Sequence, residues 1–326
     1  MDGNIGINNL DKKILYELSQ NCRKTDSKIG KKLRRSKQVI RYRIRRLEEE
    51  GFIQSYSALI DFRALGFDGV RIYLKFRNIS PVKEEEIYNK MKEDDLFLWT
   101  VNLEGDVDIG FYAWIKDISN FYDRWEKFFG TYRKYILRQE LYLSKSMVHY
   151  PVKILTSEKS QTVLEVGGVK EETNVDKKDY EILKILSRHA NSSLVDIASS
   201  VGISAKLVSY RIKQLEKKKV ILAYNAIIDE KKLGYKMYKV DFYLLNHTRL
   251  EEMYEFARTH LNIKNLMKTI GGPDYEIEVL VKDVIELRKL IDEIMEKFSD
   301  VVDYWRYNRF VKTIKQVYFP IGFEEG

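Results

Sequence analysis

The feature that most constrains this chain is an internal repeat. Laid on itself at a shift of 168 residues, the 326-residue sequence matches without a gap from Asp11-Lys12-Lys13-Ile14-Leu15 over Asp179-Tyr180-Glu181-Ile182-Leu183 to Leu65-Gly66 over Leu233-Gly234. Between these ends Ser36 lies over Ser204, Tyr42-Arg43-Ile44 over Tyr210-Arg211-Ile212, and Leu47-Glu48 over Leu215-Glu216. Tyr56, Ala58, Ile60 and Asp61 fall on Tyr224, Ala226, Ile228 and Asp229. A repeat on this scale means one architecture built twice. Farther on, Gly105-Asp106-Val107-Asp108 aligns with Pro273-Asp274-Tyr275-Glu276, and Lys116-Asp117 with Lys282-Asp283, with two residues gained or lost between the pairs. The stretch from Thr156 to Asn174 has no counterpart, so 153–174 reads as the linker between copies. Fully extended, ~19 residues reach at most about 60 Å.

Each copy divides again. Ile14, Leu15 and Leu18, then Ile29 and Leu33, then Ile40, Ile44 and Leu47 form stripes at helical spacing, and the second copy repeats them. Ser36 and Ser204 sit where a hydroxyl can accept from the first free backbone N–H groups of a helix. Beyond Gly66 the pattern changes to period two. Val70, Ile72, Leu74 and Phe76 alternate with Arg71, Tyr73 and Lys75, as Tyr238, Val240, Phe242 and Leu244 do with their neighbours, which predicts half-buried strands. The rest of each copy reads strand, helix, strand, strand, helix, strand, the order of a ferredoxin-like βαββαβ unit. The fold class is therefore α+β.

Charge locates the chemistry. Fifty-seven Lys and Arg face 49 Asp and Glu, a net +8 that says little until it is placed on the chain. Between Arg23 and Arg46 there are twelve basic residues and one acid, Asp26, and they cluster around two helices joined by a short turn. That arrangement reads as a helix-turn-helix whose second helix faces a DNA major groove. Lys37, Arg41 and Arg45 share a face at four-residue spacing, with Gln38 and Tyr42 beside them. Arginine can grip guanine with two hydrogen bonds, and glutamine can grip adenine. The expected DNA-binding residues are Lys31, Lys32, Arg34, Arg35, Ser36, Lys37, Gln38, Arg41, Tyr42, Arg43, Arg45 and Arg46. The second copy is poorer in base: Lys206, Arg211 and Lys213 against Asp196 between Asn191 and Gln214. Its expected contacts are Lys206, Ser209, Tyr210, Arg211 and Lys213. It could read bases but would collect fewer phosphates, and phosphates dominate affinity. Arg34 also stands where the second copy has Gly202, in a turn that would favour glycine.

Both copies resemble the Lrp/AsnC family, the feast/famine transcription regulators. The motif Ile7-x-x-x-Asp11-x-x-Ile14-Leu15, then Ser36-x-x-x-Ile40-x-x-Arg43-Ile44-x-x-Leu47-Glu48-x-x-Gly51-x-Ile53, recurs as Val175-x-x-x-Asp179-x-x-Ile182-Leu183, then Ser204-x-x-x-Val208-x-x-Arg211-Ile212-x-x-Leu215-Glu216, with Lys219 in place of Gly51. The resemblance implies a winged helix-turn-helix followed by a ferredoxin-like effector domain, twice. We expect winged helix-turn-helices at 1–62 and 175–230 and effector domains at 66–152 and 234–326. Family dimers bury effector strands against each other, so the tandem chain is expected to be an intramolecular pseudo-dimer with unequal half-sites, a further homo-oligomer staying open. The resemblance also implies a small effector, often an amino acid, near the Gly/Asp loop: Gly105, Asp106 and Asp108, and Gly271, Gly272, Asp274 and Glu276. Tight-turn chemistry alone accounts for the same residue types.

Three classes of function stand at this stage. They are a sequence-specific regulator, an architectural DNA binder that ignores base sequence, and a tetrapyrrole-modifying enzyme of related fold. For the last, Val101 to Gly105 carries none of the His, Tyr and Arg that chemistry would need, so no enzyme and no cofactor are expected. His149, His189, His247 and His260 lack metal-ligand spacing, and no metal is expected. The lone Cys22 cannot form an internal disulfide, and no apolar run spans a bilayer, so a cytoplasmic protein without membrane contact is expected.

Overall fold

The computed structural model describes residues 6–156, 163–168, 172–317 and 319. The first copy runs α1 (Asn9–Gln20), α2 (Asp26–Leu33), α3 (Lys37–Glu49), β1 (Ile53–Ile60), β2 (Asp68–Phe76), α4 (Pro81–Glu93), β3 (Phe97–Gly105), β4 (Ile109–Ile115), α5 (Ile118–Tyr132) and β5 (Ile136–His149). A short β6 (Leu164–Gly167) follows. The second copy runs α6 (Lys177–Leu186), α7 (Leu194–Val201), α8 (Ala205–Lys217), β7 (Ile221–Ile228), β8 (Lys236–Leu244), α9 (Leu250–Thr259), β9 (Ile263–Ile270), β10 (Tyr275–Val281), α10 (Val284–Phe298) and β11 (Val302–Gln316). This is the α+β order expected, twice.

The two copies build their sheets together. β1 pairs antiparallel with β7, and Ser57 faces Asn225, its own repeat counterpart, while Tyr56 faces Ala226 and Ala58 faces Tyr224. A residue that meets its own counterpart lies on a two-fold axis relating the copies. The strand expected as a wing is thus one half of a ribbon shared by both copies. The apolar stripes of all six helix-turn-helix helices then merge into one core, where Ile14, Leu15 and Ile29 join Ile182, Leu183 and Ile197.

The effector strands close on each other as well. Two four-stranded sheets, β5-β2-β4-β3 and β11-β8-β10-β9, meet where β11 pairs with β3 and β5 pairs with β9. β5 and β11 are long enough, at 14 and 15 residues, to serve their own sheet at one end and the opposite sheet at the other. The eight strands therefore form a closed antiparallel barrel without free edges. Closure changes one expectation. Alternation predicts half-buried strands, yet Arg71 and Tyr73 on β2 and Lys239 and Asp241 on β8 are as buried as their apolar neighbours. Their side of the sheet faces the other copy, not water. The helices pack outside, where Phe121, Trp125 and Phe128 of α5 and Leu287, Ile291 and Ile294 of α10 cover the apolar faces.

Two details of the repeat shift. Asp108 accepts the Phe76 N–H at 2.6 Å, and Asp274 accepts the Leu244 N–H at 2.8 Å. Asp274 is therefore the counterpart of Asp108, and Glu276 that of Gly110, so the two-residue difference falls before β3 and β9. The expected linker also does more than connect. Its β6 adds to β5, and Gly167 N–H donates to Asp61 at 3.1 Å. The buried Lys153 ammonium donates to the carbonyls of Ala257 and Arg258, at 3.1 and 3.0 Å, where α9 ends. Burial, with Arg258 nearby, pulls its pKa down to about 8.

Candidate nucleic-acid interface

In the first copy Asn8 caps α1 and exchanges hydrogen bonds with Asp11 in a capping box. Thr25 caps α2 and Ser36 caps α3, each hydroxyl accepting a backbone N–H three residues on. Between α2 and α3, Arg34 takes a left-handed conformation, φ 53° and ψ 49°. The turn expected to want glycine thus forms with arginine. In the second copy Gly202 holds the same place at φ 72° and ψ 37°, ahead of the Ser204 cap.

Caps and turn fix which way α3 points. Ile40 and Leu47 are buried, and Ile44 packs on the same core. Lys37, Gln38, Arg41, Tyr42 and Arg45 are exposed. Among the described residues Lys37 and Arg45 make no ion pair, while Arg41 Nε lies 2.9 Å from Asp26 at the surface. Lys31, Arg34 and Arg35 are exposed at the end of α2, beside this face. The result is a cationic helix surface with a glutamine and a tyrosine among its arginines.

Not every expected contact lies on it. Arg43 and Arg46 both turn inward to the buried Asp11, at 2.8 and 2.7 Å, and Arg43 also reaches Asn8. Lys32 and Lys24 hold the buried Glu17. Burial opposes ionisation of Glu17, but these two ammonium groups outweigh it and keep the carboxyl below its ordinary range. Arg23 stacks over the Tyr224 ring and donates to the Ala190 carbonyl of the other copy. Of the expected DNA contacts, Arg43 and Arg46 are thus helix clasps. The reason is direction: at about 100° per residue Arg43 sits about 40° from Leu47, beside the buried stripe.

The second copy follows the same plan with less charge. Arg211 repeats the clasp, its guanidinium on Asp176 at 2.7 Å and on Asp179 at 2.9 Å, and so also leaves the expected DNA set. Lys206, Leu207, Tyr210 and Lys213 are exposed, and Ser209 is half-buried beside them. Tyr42 and Tyr210 occupy the same position, as do Val39 and Leu207; Arg41 becomes Ser209, and Arg45 becomes Lys213.

The expected effector residues scatter. Glu276 lies inside the barrel, ion-paired to Arg71 and 3.4 Å from Lys239. Burial opposes its charge, yet Arg71 and Lys239 hold its carboxyl low. Asp108 and Asp274 serve as backbone caps, with Lys75 on the first at 2.7 Å and His247 on the second at 2.8 Å. The glycines allow close approach between copies. A Cβ at Gly105 would meet the Tyr307 carbonyl at 2.6 Å, and one at Gly272 would meet the Tyr142 ring at 2.9 Å. Of the expected effector residues, Gly105 and Asp106 line a groove of about 680 Å³, together with Glu104, Trp305, Arg306, Tyr307 and Arg309. Arg138 and Arg306 hold Asp106 there at 2.5 and 2.7 Å. The alternating pattern does not predict the charged barrel interior; its signal is the set of Arg71, Lys239, Asp241 and Glu278 at strand positions whose neighbours are apolar.

The remaining candidates are accounted for by packing. Burial pushes the Cys22 thiol up to about 12, with Arg23 opposing. Burial pulls His149 down to about 4 against its hydrogen bond with Asn265. Among the described residues no cluster of His, Cys, Asp or Glu is arranged to hold a metal, and no helix is long and apolar enough to cross a membrane.

Comparison with known proteins agrees with the duplicated plan. A winged helix-turn-helix DNA-binding family model matches residues 7–54 and again 175–221. The HTH-type transcriptional regulator LrpA of Pyrococcus horikoshii is 39% identical over 127 residues, 39% of this chain and 90% of that protein. The HTH-type transcriptional regulator Ptr1 of Methanocaldococcus jannaschii is 37% identical over 114 residues, 35% of this chain and 76% of that protein. Among solved structures, the siroheme decarboxylase NirDL superposes with a TM-score of 0.66 over 97% of this chain and 94% of its own, at 14% identity. That last likeness is one of fold, and it embraces both copies together.

Proposed function

This chain belongs to the Lrp/AsnC family of transcription regulators, and from that premise we propose that it is a sequence-specific DNA-binding regulator acting as a single-chain pseudo-dimer. One observation carries the reading: α3 turns Lys37, Gln38, Arg41, Tyr42 and Arg45 to solvent while its other two arginines are held inward by Asp11. Guanidinium and amide groups of this kind read base edges in the major groove. Lys31, Arg34 and Arg35 beside them would hold phosphates and set the register. The second copy offers Lys206, Ser209, Tyr210 and Lys213, a thinner set. The operator we expect is asymmetric, with a strong half-site under α3 and a weak one under α8.

Selection of bound duplexes from a random DNA pool, at two salt concentrations, tests this. A regulator yields an asymmetric motif that the Arg41→Ala/Arg45→Ala double variant loses. Binding without a motif, with a steep salt slope, would replace the reading with an architectural binder held by phosphates. No binding would sink the DNA reading and bring the tetrapyrrole chemistry of the related fold forward.

The effector, in this reading, is an amino acid in the groove beside Asp106. Its α-amino group would meet the Asp106 carboxylate, and its carboxylate Arg309, as charge-assisted hydrogen bonds. A thermal-shift screen of the twenty amino acids should find one that raises the unfolding midpoint. The shift should vanish in Asp106→Ala; a screen without a hit removes this part of the proposal alone.

A further inference from the structure

The two halves of the barrel do not show each other the same side chains. By strand register Glu140, which faces Tyr73, is the counterpart of Arg306, which faces Asp241. Likewise Arg71 corresponds to Lys239, Tyr112 to Glu278 and Gly110 to Glu276. Counterparts near a two-fold axis meet across it. Glu140 and Arg306 do, as a two-point pair: Nη1 to Oε1 at 2.8 Å and Nη2 to Oε2 at 2.5 Å. Arg306 also holds Asp106 of the first half at 2.7 Å and Asp241 of its own at 3.2 Å. Deeper in the barrel, the buried Arg71 of the first half ion-pairs with Glu276 of the second and lies 3.9 Å from Glu278.

Like-with-like pairing would lose every match made between the halves. Two first halves would set Glu140 against Glu140 and bury two Arg71 guanidinia against Gly110 and Tyr112. Two second halves would set Arg306 against Arg306 and bury Glu276 and Glu278 twice without the Arg71 guanidinium that they share, leaving Lys239 for Glu276, and Asn265 and Lys264 for Glu278. Matched charges in one pairing, with like or unpaired buried charges in the alternatives, discriminate between partners even where the net gain of each pair is small.

We propose that the Glu140–Arg306 pair, backed by Arg71–Glu276, is an address that lets a first half pair only with a second half, from the same chain or from another copy of it. The chain is then barred from assembling through identical halves, and any exchange between chains must be a reciprocal swap. This inference does not rest on DNA binding, and its test reads mass and unfolding.

The test uses full-length chains. Arg306→Glu gathers four carboxylates, and alone it should lower the unfolding midpoint sharply and change the mass distribution from that of the parent chain. Glu140→Arg sets a new guanidinium against those of Arg306 and Arg138 and should do the same more mildly, because Asp106 and Asp241 remain nearby. The double variant in one chain should regain most of the midpoint. The decisive sample is the two single variants unfolded and refolded together. In a swapped dimer the new arginine of one chain meets the new carboxylate of the other, and native Glu140 meets native Arg306. We expect a 1:1 complex of twice the chain mass with the double variant's midpoint, even if Arg306→Glu does not fold alone. A mixture that behaves as the sum of its parts overturns the address. So does a parent chain that cross-links through identical halves.

Discussion

In the first helix-turn-helix the buried Asp11 carboxylate holds two arginines, Arg43 and Arg46; in the second the matching Asp179 holds Arg211 alone, and Gln214 stands where Arg46 would. The serine caps, the left-handed turn residue and the tyrosine-to-glutamate hydrogen bonds, Tyr56 to Glu48 and Tyr224 to Glu216, are the same in both. What differs is the outward face, rich in arginine on α3 and mixed on α8. The comparison separates two jobs that a count of basic residues merges. Some cations hold the motif together, and only the remainder can meet DNA.

The sharpest break between the copies should come from the aspartates. Asp11→Ala leaves two guanidinia without their buried partner and removes half of a capping box. Loss of one member of a buried pair costs about 3 kcal/mol or more. The arginines are partly solvated, which puts the expected loss near ~3 kcal/mol. Asp179→Ala also removes half of a capping box, but Asp179 is less buried and Arg211 keeps Asp176, so it should cost only about 1 kcal/mol, as for a partly exposed pair. Urea unfolding of the two variants checks this. Equal losses would mean the two clasps are equivalent and the second arginine idle.

A smaller effect should appear in DNA binding. Arg45→Ala should weaken binding by about 1–3 kcal/mol, the range for a lost base contact, and relax the motif at one position. Lys213→Ala should cost less, change no base preference, and lower the salt slope by about one. Titration of the selected duplex at several salt concentrations separates the two. If both substitutions act alike, the copies read DNA equally, and the unequal half-sites are wrong.

Much of this architecture is legible in the sequence. The period of the apolar residues, the two serine caps and the change to period two beyond Gly66 follow from backbone geometry, which acts locally and leaves its mark on neighbouring residues. The direction of individual arginines was less visible, because Arg43 lies on the edge of the buried stripe, and its partner is 32 residues away. The barrel interior was hidden for a different reason. Arg71 and Lys239 look like the wet side of a strand until the opposite copy covers them, and pairing across 168 residues has no local signature. The Gly/Asp loop misled because Asp108 and Asp274 answer to backbone N–H groups, a role that a sequence expresses in the same letters as ligand binding.

The smallest effect concerns the backbone, and here the copies exchange roles. Each helix-turn-helix has two left-handed residues, one before α3 or α8 and one just after it. The first copy fills them with Arg34 and Gly51, φ 53° and 71°, and the second with Gly202 and Lys219, φ 72° and 57°. Each copy therefore has glycine at one site and a strained cation at the other. A side chain in this conformation costs roughly 1–2 kcal/mol, partly offset because glycine loses more freedom on folding. Lys219→Gly should raise stability by up to about 1 kcal/mol, and Gly202→Ala, whose Cβ would meet open space, should lower it by a similar amount. Arg34→Gly divides the two jobs of a cation most cleanly. It should stabilise the fold as Lys219→Gly does, yet weaken DNA binding by losing a phosphate contact, with a salt slope lower by about one. If the stability rises and the DNA affinity holds, Arg34 lies outside the interface, and the footprint of the first copy begins at Arg35 or later.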